Sequence, residues 1–202
     1  VDEKKVYSKH TIEFVTIAAE YCAFVEQKSD IKPSEFVSKL QKLLAALYLK
    51  ATLLPDVDSQ NDDSIEKFVS EEDWDFVQKQ ALNKLGRFET YFDVPTLDAA
   101  GAIQNDNMSL SEVLSDLYQE LMDFIALYRL GNEDSMLDAL SECIQSFKMY
   151  WGTKLLSAQT ALHQILYTNE DINQELPEHS PHEKPNTNDW IFSQRQRDWG
   201  LV

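Results

Sequence analysis

Apolar residues in this chain return every three or four positions, and the few prolines and glycines fall mostly where those runs stop. That spacing is one face of an α-helix. Pro33 opens one run and Pro55 closes it, while Gly86 follows a second run and Gly131 a third. With five Gly and six Pro in 202 residues, the chain holds little of the turn chemistry that sheets and phosphate loops need. The expected fold is all-α: a helical bundle of about five main helices, two antiparallel hairpins plus a bridging helix, with an irregular C-terminal tail and no sheet.

The helices are placed by their ends. Ser8 is an N-cap for a first helix from Lys9 to Gln27, whose apolar set includes Phe14, Ala18, Tyr21 and Val25. Pro33 suits the first position of a second helix that runs to about Leu53. The short link between the two predicts a hairpin. Residues 56–67 are acidic and polar and read as a loop. Ser70, followed by Glu71, Glu72 and Asp73, starts a third helix, which Gly86 ends. Residues 87–108 carry no clear period beyond a helical turn around Phe88 to Tyr91. A fourth helix follows Ser109 and runs to Leu130, with Val113, Leu114, Leu117, Leu121, Phe124, Ile125 and Tyr128 on its buried face. Asn132 caps a long fifth helix from Glu133 to Tyr167. Gly152 inside it costs about 1 kcal/mol relative to Ala, so a kink or a close helix approach is expected there. These helices make a single domain over 1–167. Residues 168–202 are a polar, Pro-containing tail with an aromatic end.

Charge narrows the function. A net charge of −17, with only 18 Lys and Arg, argues against nucleic acid and against anionic membranes, both of which need clustered bases. No stretch approaches the roughly 18 uncharged apolar residues that span a bilayer, and no apolar signal core follows Asp2-Glu3-Lys4-Lys5. The chain reads as cytoplasmic. Cys22 and Cys143, each inside an apolar helical run, read as buried free thiols.

No phosphate loop, nucleophile elbow, CxxC or HExxH occurs, and no cofactor is expected. Two acid groups stand out. Glu71, Glu72 and Asp75 form EExxD at the start of the third helix, and Glu120 and Asp123 form ExxD on the fourth. This pairing resembles helical nucleotide pyrophosphatases of the MazG type, and the resemblance implies a magnesium-dependent hydrolase with those five residues as its metal ligands. The competing reading makes the first group dipole partners, and Asp116, Glu120 and Asp123 a solvated stripe beside the apolar face. Charges inside apolar windows stand out as well. Lys50 is alone between Leu43 and Leu54, and Lys154 follows Tyr150-Trp151-Gly152-Thr153. Residues equidistant from a hairpin turn lie level, which places Lys50 near His10 and Glu13 and Lys154 near Glu112. A buried ammonium needs such a partner; one that snorkels to water does not.

Leu47-Tyr48-Leu49-Lys50-Ala51-Thr52-Leu53-Leu54-Pro55, Asp116-Leu117-Tyr118-Gln119 and Tyr150-Trp151-Gly152-Thr153-Lys154-Leu155 resemble a bacterial family described as domain of unknown function 5063. The likeness covers roughly residues 5–167, implies an all-helical cytoplasmic protein, and brings no activity, cofactor or site residue with it. The leading functional expectation is therefore a non-catalytic helical protein-interaction or adaptor module with an unknown protein partner, and a homodimer remains open. The alternatives are the magnesium-dependent hydrolase and a small-ligand-binding bundle. Lys50, Lys154, Trp151, Trp190 and Trp199 are the ligand or interaction candidates. In the tail, Trp190, Ile191, Phe192, Trp199 and Leu201 are too apolar to stay in water. They either fold back on the bundle or insert into a partner or a second copy.

Overall fold

The computed structural model describes residues 3–28, 30–57, 66–92, 96–97, 103–104, 107–167 and 171–173. By internal contacts the chain divides into Val1–Ile172 and Asn173–Val202, and every helix belongs to the first unit. The tail residues Trp190, Ile191, Phe192, Trp199 and Leu201 lie outside the described residues.

Among the described residues seven α-helices carry the fold: α1 Glu3–Val6, α2 Lys9–Glu26, α3 Pro33–Ala51, α4 Glu71–Leu85, α5 Leu110–Arg129, α6 Glu133–Ser146 and α7 Gly152–Tyr167. Their ends are built as the residue types demand. The Ser8, Ser109 and Asn132 side chains accept from the backbone N–H of Thr11, Glu112 and Asp134. Ser70 and Asp73 form a reciprocal capping box at α4. Gly86 and Gly131 hold positive φ just past α4 and α5, where a side chain would be strained.

Helix α5 is the axis of the bundle. Twelve of its twenty residues are buried, more than a single face supplies, and α2, α4, α6 and α7 all pack against it. A helix apolar on several sides belongs at a centre. Helices α2 and α3 form the expected hairpin, shown by Lys39 meeting Glu20 at 3.1 Å and Lys50 meeting Glu13 at 2.7 Å. A run of rings stitches the bundle together: Tyr48 on α3 against Phe147, Phe147 against Trp151, Trp151 against Phe14 on α2, and Phe14 against Phe124 on α5, with centroids 4.6 to 6.4 Å apart.

Two features depart from the sequence expectation. The first lies between α4 and α5. A 3-10 turn, Gly86–Phe88, occupies part of the expected helical turn. It is followed by short strands β1 Thr90–Phe92, β2 Thr96–Leu97, β3 Ile103–Gln104 and β4 Asn107–Ser109. β1 pairs antiparallel with β4, Tyr91 opposite Met108, and β2 with β3, Leu97 opposite Ile103. Thr90, Tyr91 and Phe92 are strand formers, and Pro95 forbids a helix there. The ribbon is tied to α5 at its base. The Glu89 carboxylate accepts from the Ser111 N–H and from the hydroxyls of Ser109 and Ser111, which places a negative charge at the positive end of α5.

The second departure is the expected fifth helix, which is two helices joined through a π-helical turn, Phe147–Trp151. The Gly152 N–H reaches back to the Phe147 carbonyl, and the wider turn brings the Phe147 carbonyl and ring over Gly152. A Cβ at Gly152 would stand 2.5 Å from that oxygen and 2.9 Å from the ring. The glycine is there for space. Gly152→Ala is therefore expected to destabilise by about 1–3 kcal/mol through overpacking, whereas an ordinary mid-helix glycine would gain about 1 kcal/mol from the same change. Urea denaturation reads the sign directly, and a more stable variant would refute this account of the π turn.

Candidate functional site

The acid groups come apart in the fold. Glu71, Glu72 and Asp75 are exposed on the first turns of α4, where Asp75 meets Lys79 at 3.4 Å. Glu120 and Asp123 point into the bundle instead. Together with Asp116 they form a stripe at four- and three-residue steps along α5, and each is held by a different element. The Asp116 carboxylate accepts from the Trp74 indole at 3.1 Å, the Tyr150 hydroxyl at 3.1 Å and the Lys154 ammonium at 2.5 Å. Glu120 accepts from the Ser146 hydroxyl at 2.5 Å. Asp123, only 4% exposed, accepts the backbone N–H groups of Phe68 and Val69 at 2.7 and 2.9 Å, and so fastens the chain that enters α4. The expectation of a solvated stripe on α5 is corrected: these acids are fixed hydrogen-bond acceptors between helices. Among the described residues no group of three or more His, Cys, Asp or Glu is placed to hold a metal ion, so the five acids of the hydrolase reading form no common site there.

Both lysines that interrupt apolar runs find carboxylates. The Lys50 ammonium donates to Glu13 at 2.7 Å, with His10 4.0 Å from the same oxygen, as hairpin geometry predicts. Lys154 takes Asp116, one turn along α5 from the expected Glu112. It also donates to the Tyr150 hydroxyl at 2.7 Å. The two lysines answer to different helices, Glu13 on α2 and Asp116 on α5. Trp151, expected as a ligand or interaction residue, is a core side chain with no exposed surface, its indole N–H donating to the Cys143 carbonyl at 3.3 Å. Trp190 and Trp199 lie outside the described residues. Cys22 and Cys143 are free and buried, and burial pushes both thiols up, which leaves them neutral and unreactive.

What the sequence reading missed is the outer face of α7. In a chain with 35 Asp and Glu, Gly152–Tyr167 contains one charged residue, Lys154, and that ammonium is taken by Asp116. The exposed positions Met149, Thr153, Leu156, Thr160, His163 and Tyr167 follow one another at alternating four- and three-residue steps. Met149 is 83% exposed, Leu156 44% and Tyr167 71%. This is an uncharged, partly apolar stripe about 27 Å long, with the spacing of a helix-packing seam. The missing charge was readable in the sequence; which side of the helix faces water was not.

Fold and site together define an all-α bundle built round a buried central helix, with fixed internal carboxylates and no assembled catalytic constellation among the described residues. Residues 5–168 match the family described as a domain of unknown function (DUF5063), and the chain belongs to that family. It is similar to the crystal structure of protein BF1032 from Bacteroides fragilis, a target of the Northeast Structural Genomics Consortium. The two share 35% identity and a TM-score of 0.72, over 82% of this chain and 98% of that one. No curated protein matches the chain. No helix among the described residues is long and apolar enough to cross a membrane.

The ion pairs set a pH dependence. Burial alone would lower the Lys154 ammonium, but its hydrogen bonds to Asp116 and Tyr150 outweigh that and hold it above its usual value. Its stabilisation is present below the unfolded pKa of about 10.4 and is lost as pH rises through the folded value. Glu13 has the opposite sign: the Lys50 ammonium holds its carboxyl below the usual range, so its contribution exists above about pH 4.3 and fades as pH falls. Lys154→Met is expected to cost about 1–2 kcal/mol at neutral pH, between a surface and a buried pair, and to flatten the alkaline limb of a stability–pH profile. Glu13→Gln should flatten the acid limb. Denaturation from pH 3 to 11 checks both, and unchanged limbs would remove the pairs from the stability account. In the same assay Asp123→Ala should cost about 2–4 kcal/mol, because it strands two backbone N–H groups. Glu71→Gln, Glu72→Gln and Asp75→Asn should each stay under about 1 kcal/mol.

Proposed function

We propose that this chain is a non-catalytic module that binds a helix of another, net-basic protein along the outer face of α7. The observation behind this reading is the uncharged stripe from Met149 to Tyr167 on a chain of net charge −17. Acidic surfaces keep proteins apart, and a stripe that has shed its charge can lose water without stranding an ion. The four–three spacing suits the ridge of a partner helix, with Met149, Leu156 and Tyr167 as anchors. Methionine and tyrosine are both favoured at such contacts. The charge of the remaining surface argues for a basic partner, since a second copy would bring like charge to the contact. The π turn at the head of the stripe is a feature that recurs at functional sites.

The test is affinity capture from the native cell with the wild type and with Met149→Asp/Leu156→Asp/Tyr167→Asp side by side. The wild type should retain a stoichiometric, net-basic protein, and the triple variant, at unchanged melting temperature, should lose it by tenfold or more, the equivalent of about 1.4 kcal/mol. A partner that both proteins retain equally would remove the α7 face from the reading. A wild type that forms a stable dimer through this stripe would replace the basic partner with a second copy. Magnesium-dependent hydrolysis of a nucleoside triphosphate, abolished by Glu120→Gln, would overturn the non-catalytic assignment.

A further inference from the structure

The outer face of α7 continues onto α3. The Gln41 amide lies 3.5 Å from His163 Nδ1, and the Tyr48 ring lies against Phe147, so the two helices run antiparallel and side by side. Leu49, the residue after Tyr48, is 56% exposed. It stands at the Phe147 end of the pair, the end that also carries the exposed Met149 and Leu156. The opposite end differs in charge. Lys39 and Lys42, within a turn of Gln41, are exposed on α3, and Tyr167, one turn beyond His163, is where the chain leaves α7. The two-helix face thus has lysines near the exit of the chain and bare apolar side chains at its far end.

The sequence that follows α7 carries the matching order. The Arg87 guanidinium donates to the Asp171 carbonyl at 3.1 Å and Ile172 packs against the core, which fixes where the C-terminal segment begins. Five acids from Glu170 to Glu183 come first, and Trp190, Ile191, Phe192, Trp199 and Leu201 come after them. In residues 186–202, Arg195 and Arg197 are balanced by Asp189 and Asp198, so the side chains sum to no charge. An uncharged stripe takes such a segment without stranding an ion, and each tryptophan withdraws at least about 150 Å² from water on it. Eighteen residues separate Ile172 from Trp190, about 60 Å of extended chain, against a stripe about 27 Å long.

We propose that residues 186–202 of the same chain dock on the α3–α7 face, with the acidic stretch crossing Lys39 and Lys42 and the tryptophans seated beside Leu49, Met149 and Leu156. A tether of this length keeps the segment at an effective concentration in the millimolar range, whereas a second copy brings like charge to the contact. The segment competes with a partner for the α7 face. That competition rests on the protein-binding reading; the docking itself does not.

The experiment is fluorine NMR of the full chain labelled with 5-fluorotryptophan, in which Trp190→Phe and Trp199→Phe assign the two tail resonances. In the wild type both are expected away from their positions in a free synthetic peptide of residues 186–202, and unchanged on tenfold dilution. Leu49→Asp/Leu156→Asp should return both to the peptide positions, and Lys42→Glu should raise the free fraction about threefold. All three side chains lie wholly or largely on the surface, so the melting temperature should hold in each variant. Leu130→Asp, at the end of α5 and 61% exposed, should move neither resonance. Wild-type resonances at the peptide positions, or displaced ones that ignore both the leucine pair and Lys42→Glu, would overturn the docking. Return to the peptide positions on dilution would replace the chain's own segment with that of a second copy. Trp190→Asp/Trp199→Asp should raise the amount of partner retained in affinity capture about threefold or more. A docked segment with no captured partner would sink the partner reading alone, and a captured partner with both tryptophans free would sink the docking alone.

Discussion

The structure depends on what α5 does with its polar groups. A helix packed by four neighbours leaves little solvent along its middle turns, and α5 carries Asp116, Glu120 and Asp123 there, between its neighbours. Each carboxylate is stabilised because a neighbour brings it donors. Asp116 receives an indole, a phenol and an ammonium, Glu120 a serine hydroxyl, and Asp123 two main-chain N–H groups. Donors and acceptors must meet in one arrangement, so these contacts select a register for α4, α6 and α7 against α5 that apolar packing alone would leave loose. Tyr21 adds a fourth point from α2, its buried hydroxyl donating to the Leu114 carbonyl.

The π turn belongs to the same constraint. A straight helix from Glu133 to Tyr167 would keep one face toward α5 throughout. The extra residue in the turn at Phe147–Trp151 rotates the helix beyond it. At the end of that turn Trp151 lies in the core against Phe14, and beyond it Lys154 reaches Asp116. Gly152 is the local cost of that turn, since a methyl group at this position would strike the Phe147 carbonyl. The stripe from Met149 to Tyr167 begins on the turn itself and continues along the outside of α7, so the packing that buries Trp151 also sets which residues are left to face water.

Function, on this view, lies in surfaces more than in chemistry. Both cysteines are buried and held neutral, and the ionisable side chains of the α5 stripe are tied into the packing between helices. The chain differs from an ordinary acidic bundle in a long helix face that has shed its charge.

Helix ends were legible in the sequence because they are decided within four residues. Ser8, Ser70, Ser109 and Asn132 bond to N–H groups two or three positions on, and Gly86 and Gly131 supply their own backbone geometry. The Lys50–Glu13 pair was legible as well, because a short turn fixes which residues of a hairpin lie level. The β ribbon between α4 and α5 was not, since its pairing joins Thr90 to Ser109 across nineteen positions and its strands are two or three residues long. Nor could sequence spacing tell a solvated acid from a buried one on α5. The donors that settle it come from Phe68, Trp74, Ser146 and Lys154, brought there only when four other segments pack. Where helices begin, end and turn back follows from the residues alone, since caps, prolines and apolar period act locally. Which helix is central, which charges are spent inside and which face of α7 meets water are settled by packing, because those depend on contacts between residues distant in the chain.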